Sequence, residues 1–212
     1  AKVQSYEEIV RVPTASNVSV SNACAITSEG IQVFYRDETQ GVLLGAYKNF
    51  GGDWNYELVD GDRKTDFRTT GDVAFHMKAL VDGNKTYVIY DSVLTINQNR
   101  DATSGEIRLA TRTTFDPGAW LYRTLESPTT DAAILGYDVE IAKSAKGIMA
   151  SWFSATMLSM PDPTLLRTLN LSTATAVVTT STSNYGTPNE LLSSDSQTLL
   201  FNCLGRLCAI DY

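Results

Sequence analysis

Apolar residues along this chain of 212 residues come in short runs rich in Val, Ile, Tyr, Phe and Thr, which Gly, Asp and Asn interrupt. Runs of this length and composition are typical of β-strands, and few segments carry the periodicity of a helix. Residues 138–149 could be drawn as a helix, but residues 143–147 fit a turn between two strands better. The pattern therefore predicts an all-β protein.

The predicted strands recur in a fixed order. A core run that ends in an aromatic residue occurs at residues 33–35, 88–90, 150–153 and 199–201. A small apolar strand precedes each of these runs, and a second run of similar shape follows it. The repeat distance of about 50 to 60 residues matches a four-stranded propeller blade better than a solenoid coil.

We predict one domain of four repeats, at about residues 20–60, 72–126, 131–181 and 188–212 plus 5–12. The fourth repeat lacks a last strand, and residues 6–12 have the length and alternation to supply it. By pairing near residues 205–211, that strand would close a small four-bladed β-propeller and remove an exposed sheet edge. A β-sandwich is the alternative.

The first repeat places a small apolar strand at 23–26, a strand with paired aromatics, an acidic turn and a Gly-Gly-Asp-Trp segment ending at Trp54. In this order it resembles a blade of the fungal and bacterial fucose-binding propeller lectins. The second repeat retains the order in part, as far as Trp120. The resemblance implies a propeller fold, whereas Gln32 and Gly45 stand where that family has its sugar-binding Arg and Glu.

Aromatic and arginine side chains at matching places in the first two repeats are the candidate ligand-binding residues. A flat ring stacks on the apolar face of a sugar, and a guanidinium donates to hydroxyl groups. The candidates are Trp54, Trp120, Tyr35, Arg36, Tyr90 and Arg108. The alternative is that these side chains fill the space between blades.

A catalytic constellation is not apparent, although paired carboxylates could support glycoside hydrolysis. The acids considered are Asp37, Glu38, Asp60, Asp62, Asp91 and Asp138. Most are in turn-like contexts, where turn formation explains an Asp without catalysis. His76, the only histidine, is interpreted as structural, because a lone His cannot form a His-rich metal site. We expect neither a metal nor another cofactor.

Cys203 and Cys208 flank a predicted hairpin turn at Gly205 and Arg206. That register would place the two cysteines opposite each other, where a disulfide could form. Buried free thiols are the alternative.

Composition bears on location and partners. Ser and Thr make up 43 of the 212 residues while charged residues are 19%, and this polarity without charge suits a surface exposed outside the cell. The net charge of −7 disfavours nucleic acid and anionic membranes as partners. No stretch of 18 apolar residues predicts membrane insertion. The chain begins at Ala1 and is interpreted as the mature form of a secreted protein.

These features together predict a secreted, non-catalytic carbohydrate-binding or adhesive module whose partner is a glycan or glycoprotein. Two alternatives remain open. One is a structural or interaction protein, such as a cell-surface or filament subunit, and the other is a glycoside-active enzyme. The sequence also leaves open a homo-oligomer.

Overall fold

Four antiparallel sheets follow one another in the computed structural model, which describes residues 18–61, 72–96, 98, 102–113, 120–128, 133–156, 165–173, 178–181, 185–191, 198–203 and 206–211. Within these residues every regular element is a β-strand, so the all-β prediction is confirmed. Each sheet is a meander, because strands that are consecutive in sequence are also neighbours in space.

The strands are numbered in chain order. Sheet A contains β1 (Val18–Ile26), β2 (Gly30–Asp37), β3 (Val42–Asn49) and β4 (Asn55–Asp60). Sheet B contains β5 (Val73–Asp82), β6 (Lys85–Ile96), β7 (Ala102–Thr113) and β8 (Leu121–Glu126). Sheet C contains β9 (Ala133–Ser144), β10 (Gly147–Thr156), β11 (Leu165–Asn170) and β12 (Val178–Ser181). The described strands of sheet D are β13 (Tyr185–Leu191), β14 (Thr198–Cys203) and β15 (Arg206–Asp211).

The first strand of each sheet lies against the first strand of the next. β1 contacts β5, β5 contacts β9, and β9 contacts β13. This serial arrangement is propeller-like and differs from a sandwich, in which two sheets stack face to face. Residues 6–12, which were expected to close the ring, lie outside the described residues. The closed ring of four blades therefore stays a prediction.

Alternation along the strands gives sheet B two apolar faces. Val88 and Tyr90 on β6 belong to the core between sheets A and B, while Ile89 belongs to the core between sheets B and C. All three side chains are fully buried. Because successive side chains of a strand point to opposite faces, one short apolar run serves both interfaces.

The turn predicted at residues 143–147 is confirmed. β9 and β10 form a hairpin in which Ser144 pairs with Gly147. Gly147 has a φ of 123°, and a Cβ there would lie 2.5 Å from the hydroxyl oxygen of Ser172. Glycine is thus required both by the backbone conformation and by the close approach of the turn after β11.

The register predicted for the cysteine hairpin is wrong. β14 and β15 pair Cys203 with Arg206 and Phe201 with Cys208. A turn displaced by one residue shifts every cross-strand partner. Cys203 and Cys208 are therefore not opposite each other, and their side chains lie outside the part of the chain whose side chains are described.

Arg108 joins sheets A and B as a buried cation. Its guanidinium lies 3.0 Å from Asp60 of β4 and 2.6 Å from Glu106 of its own strand. Tyr90 donates its hydroxyl to the same Asp60 carboxylate at 2.8 Å. Burial and the neighbouring Asp60 raise the pKa of Tyr90 well above its ordinary value, so this hydroxyl keeps its proton and donates.

Arg112, four residues after Arg108 on β7, forms a second buried ion pair between the same sheets. It lies 2.6 Å from Glu57 of β4, and its guanidinium is 4.4 Å from the ring centroid of Trp120. Trp120 also donates its indole N–H to Glu57 at 3.2 Å. The Glu57 carboxylate thus holds both the guanidinium of Arg112 and the indole on which it stacks. This geometry combines charge pairing with cation–π stacking.

Replacing Arg108 with Leu should lower the free energy of unfolding by about 3–5 kcal/mol, because Asp60 and Glu106 would keep their charges without a cation in a buried site. Urea denaturation of the purified variant measures this loss. Arg123→Leu, which removes an exposed arginine of β8, is the matched control and should change the value by at most about 0.5 kcal/mol. A loss below about 1 kcal/mol for Arg108→Leu would show that the buried pair is dispensable.

Candidate functional site

Strained backbone occurs at one residue in the first strand of sheet B and at one in the first strand of sheet C. Ala74 on β5 has a φ of 62° and Asp138 on β9 has a φ of 51°. These are the non-glycine residues with positive φ among those described, and such a conformation costs about 1–3 kcal/mol at each position. The pairing of β5 with β6 also shifts register between Val73 and Met77. Strain of this kind is retained where surrounding structure imposes it, which is common at functional sites.

The irregular start of β5 brings His76 onto Asp91 of β6. The Asp91 carboxylate accepts the backbone N–H of His76 at 2.9 Å and lies 3.1 Å from its Nδ1. The His76 side chain is 41% exposed, whereas the Asp91 side chain is 12% exposed. One end of this pair is thus anchored inside the protein while the imidazole faces solvent.

Asp138 is the third residue of this group, and its place near His76 depends on the glycine at position 136. A Cβ at Gly136 would lie 2.4 Å from Cβ of Asp91 and 2.7 Å from Cδ1 of Ile107, so only glycine lets β9 come this close to sheet B. Two residues later, Asp138 is near enough to act electrostatically on His76. We call His76, Asp91 and Asp138 the acid cluster.

The pKa of His76 is set by opposing effects. Desolvation lowers this pKa. The hydrogen bond and charge of Asp91 and the charge of Asp138 together raise it by more, so the net shift of the pKa is upward from 6.5. The protonated imidazole is thereby favoured at mildly acidic pH. A protonated imidazole that contacts Asp91 can fix the orientation of that carboxylate.

Arg36 of β2 braces the segment that leads into the acid cluster. It donates to Asp72 at 2.9 Å and to the backbone carbonyl of Val73 at 3.0 Å. Its guanidinium also stacks 3.9 Å from the ring centroid of Phe75, which is 40% exposed. Sheet A thus holds the start of β5 in place just before His76.

The six acids considered from the sequence have different roles. Asp91 and Asp138 both act on His76, Asp91 by a hydrogen bond and Asp138 by its charge. Asp37 accepts two backbone N–H groups of the turn that follows it, at 2.8 and 3.0 Å, which is the turn role expected for such residues. Asp60 is the buried partner of Arg108. Glu38 is exposed in the turn after β2, and Asp62 lies outside the described residues.

Most of the residues predicted to bind a ligand are buried. Tyr35 and Tyr90 are at most 1% exposed, Arg36 is 5% exposed and Trp120 is 8% exposed. Arg108 is fully buried in its ion pair. The structure places these five side chains in packing and ion pairing within and between sheets, as the alternative interpretation of the sequence had it.

Trp54 is the exception, because it is only partly buried and lines an open cleft. The cleft has a volume of about 620 Å³. Its lining includes Tyr35, Leu44 and Tyr56 on the second face of sheet A, the face opposite to the one that packs against sheet B. Lys48 lies 5.7 Å from the ring centroid of Trp54. Trp54 and Trp120 therefore have different surroundings despite their equivalent places in the repeats.

The acid cluster was not predicted as a unit. His76 was interpreted as structural, and Asp91 and Asp138 were attributed to turns. The residues are 15 to 62 positions apart in sequence, and their meeting depends on the close approach at Gly136. The available signal was a lone His in a predicted inner strand of a chain with several candidate acids.

The part of the chain that the structure describes contains no group of three or more His, Cys, Asp or Glu side chains arranged to hold a metal ion. It also contains no helix that is long and apolar enough to cross a membrane.

No protein-family description matches the chain, and no curated protein resembles it in sequence. Solved structures do resemble it. The α-L-arabinanase of Penicillium chrysogenum, solved with arabinobiose, has a TM-score of 0.56 at 10% identity, and the match covers 85% of this chain and 56% of the arabinanase. A puromycin-hydrolysing peptidase of Mycobacterium tuberculosis has a TM-score of 0.53 at 16% identity, covering 97% of this chain and 34% of the peptidase.

These similarities confirm a propeller-like fold and, at such low identity, show the fold alone. The chain spans about half of the arabinanase and a third of the peptidase. The likeness to fucose-binding lectins is thus supported only in its coarse form, as a propeller-like fold. The prediction of a non-catalytic lectin-like module is wrong on this comparison, because both similar proteins are enzymes and most of the predicted sugar ligands are buried.

The pKa of His76 should lie above 6.5, and NMR can measure it directly because the chain has one histidine. Asp91→Asn should lower this pKa, since desolvation remains while the partner charge is lost. Protonated His76 then stabilises the fold fully below about pH 6.5, and that contribution is lost as the pH rises through the folded-state pKa.

The matched control is Asp82→Asn, because Asp82 is an acid at the far end of the same strand and should leave the titration unchanged. A His76 pKa at or below 6.5, or one that Asp91→Asn does not lower, would contradict the geometry of the acid cluster.

Proposed function

We propose that this chain is a glycoside-active enzyme, or the propeller part of one, that uses the acid cluster for hydrolysis. The observation that carries the proposal is that His76 hydrogen-bonds Asp91 of sheet B while the charge of Asp138, at a strained position in sheet C, acts on the same imidazole. Two carboxyl groups on one site are what most glycosidases require. The likeness to an arabinanase supports a glycosidic bond as the target.

The environments of the two acids suggest different roles. Asp91 is almost buried and its carboxylate is held by two contacts to His76, so it would stabilise the positive charge that develops on the sugar ring. Asp138 is partly exposed and would transfer the proton at the glycosidic oxygen or at the attacking water. His76 would act as a positioning residue that fixes the orientation of Asp91.

A second candidate function, that of a structural or interaction protein, is favoured by the second face of sheet A. Ile26 is 71% exposed there, Leu58 40% and Tyr56 36%. Large apolar side chains exposed on one sheet face are typical of a surface that another protein element covers. An interaction protein of this kind would need no activity at the acid cluster.

Asp138→Asn should abolish most of the hydrolytic activity, with kcat reduced by about 100-fold or more, because an amide cannot transfer the proton. The assay measures the release of reducing ends from arabinan, xylan, galactan and arabinogalactan by the purified chain. Asp91→Asn should give a comparable loss, whereas the control Asp82→Asn should retain wild-type activity.

Melting curves of the variants must match the wild type for this comparison to hold. Absence of product from every polysaccharide, or full activity of folded Asp138→Asn, would contradict the enzymatic proposal and favour the interaction protein.

A further inference from the structure

A second cleft lies between sheets B and C, away from the acid cluster. It is near the β5–β6 turn, where Asp82 pairs with Lys85, six residues along β5 from His76. Its volume is about 350 Å³, within the range of pockets that hold small ligands. The cleft therefore belongs neither to the acid cluster nor to the exposed face of sheet A.

One wall of the cleft is a row of side chains that pair across sheet B. Tyr87 on β6 is opposite Thr111 on β7, and Thr111 is opposite Leu121 on β8. Residues that are directly opposite point to the same face of a sheet, so the three form a continuous surface with one ring, one hydroxyl and one aliphatic group. Leu171 and Ser172, in the turn after β11, form the facing wall.

Two cations flank this surface. Lys85 and Arg123 both line the cleft, and both side chains are exposed. Among the described residues neither forms an ion pair, whereas nearby Lys143 is paired with Asp82. Lys85 lies 5.3 Å from the ring centroid of Tyr87. In a chain of net charge −7, this cleft is therefore a place where two exposed cations line one surface.

The hydroxyl groups of the cleft remain neutral donors and acceptors. Burial and the charge of Asp82 raise the pKa of Tyr87, so its phenol does not add a negative charge at neutral pH. Thr111 is almost buried, and the Ser172 hydroxyl accepts the backbone N–H of Ile148 at 3.0 Å, which fixes the position of its oxygen. The cleft thus presents cations at its sides and polar groups beside a tyrosine ring.

We propose that this cleft binds a small ring compound that carries a carboxylate. The planar guanidinium of Arg123 suits two-point binding of a carboxylate, Lys85 adds a second positive charge, and Tyr87 offers a surface against which a ring can stack. Two sources share this chemistry, a sugar acid and an aromatic acid. The proposal does not depend on hydrolysis at the acid cluster.

Calorimetric titration with matched probes tests the proposal. Galacturonate is compared with galactose, and benzoate with benzamide, so that each acid has a neutral partner of similar shape. At least one acid should bind saturably and at least about tenfold more tightly than its neutral partner, because a charge-assisted hydrogen bond contributes about that factor. Preference for galacturonate identifies a sugar acid, and preference for benzoate identifies an aromatic acid.

Variants then assign the binding to the cleft. Arg123→Gln should weaken binding of the preferred acid by about tenfold, and Lys85→Gln should weaken it by a smaller factor, since both residues are exposed and the fold should survive their loss. Lys48→Gln makes the same charge change on sheet A and should have no effect. The proposal is overturned if neither acid binds better than its neutral partner, or if Arg123→Gln binds the preferred acid as the wild type does.

Discussion

Arg108 and Arg112 are buried between sheets A and B, and the carboxylates that pair with them are buried as well. Removing either cation would leave Asp60 or Glu57 charged in the interior, so the two sheets assemble favourably only in the register that pairs these groups. The same register fixes β6. Because side chains alternate along a strand, the residue that binds Asp60, Tyr90, is followed by one that points to the other face, Asp91.

The acid cluster therefore depends on packing on both faces of sheet B. On one face the buried ion pairs and Arg36 fix the positions of β6 and of the start of β5. On the other face, Gly136 lets β9 approach closely enough for the charge of Asp138 to act on His76. The positive φ angles at Ala74 and Asp138 cost conformational energy, and packing at the surrounding interfaces offsets that cost.

The sequence predicted the strands well, because apolar alternation and turn residues act locally. The turn at 143–147 was found for this reason. Contacts that depend on long-range packing were not predicted. Asp60 and Arg108 pair although they are 48 positions apart in sequence, and no local sequence pattern indicates that pairing. Arg108 was assigned to a ligand instead, since sequence alone does not tell a buried cation from an exposed one. The cysteine hairpin failed because a one-residue difference in turn position changes the whole register.

The most direct test of the acid cluster as a glycosidase site is a crystal structure of Asp138→Asn soaked with an arabino-oligosaccharide. The account predicts that a glycosidic bond lies between residue 138 and Asp91, with the two side-chain carbonyl carbons about 5–9.5 Å apart. It also predicts that His76 still contacts Asp91 in the complex. A sugar bound elsewhere with the acid cluster empty would contradict the account, as would carboxyl groups too far apart to reach one bond.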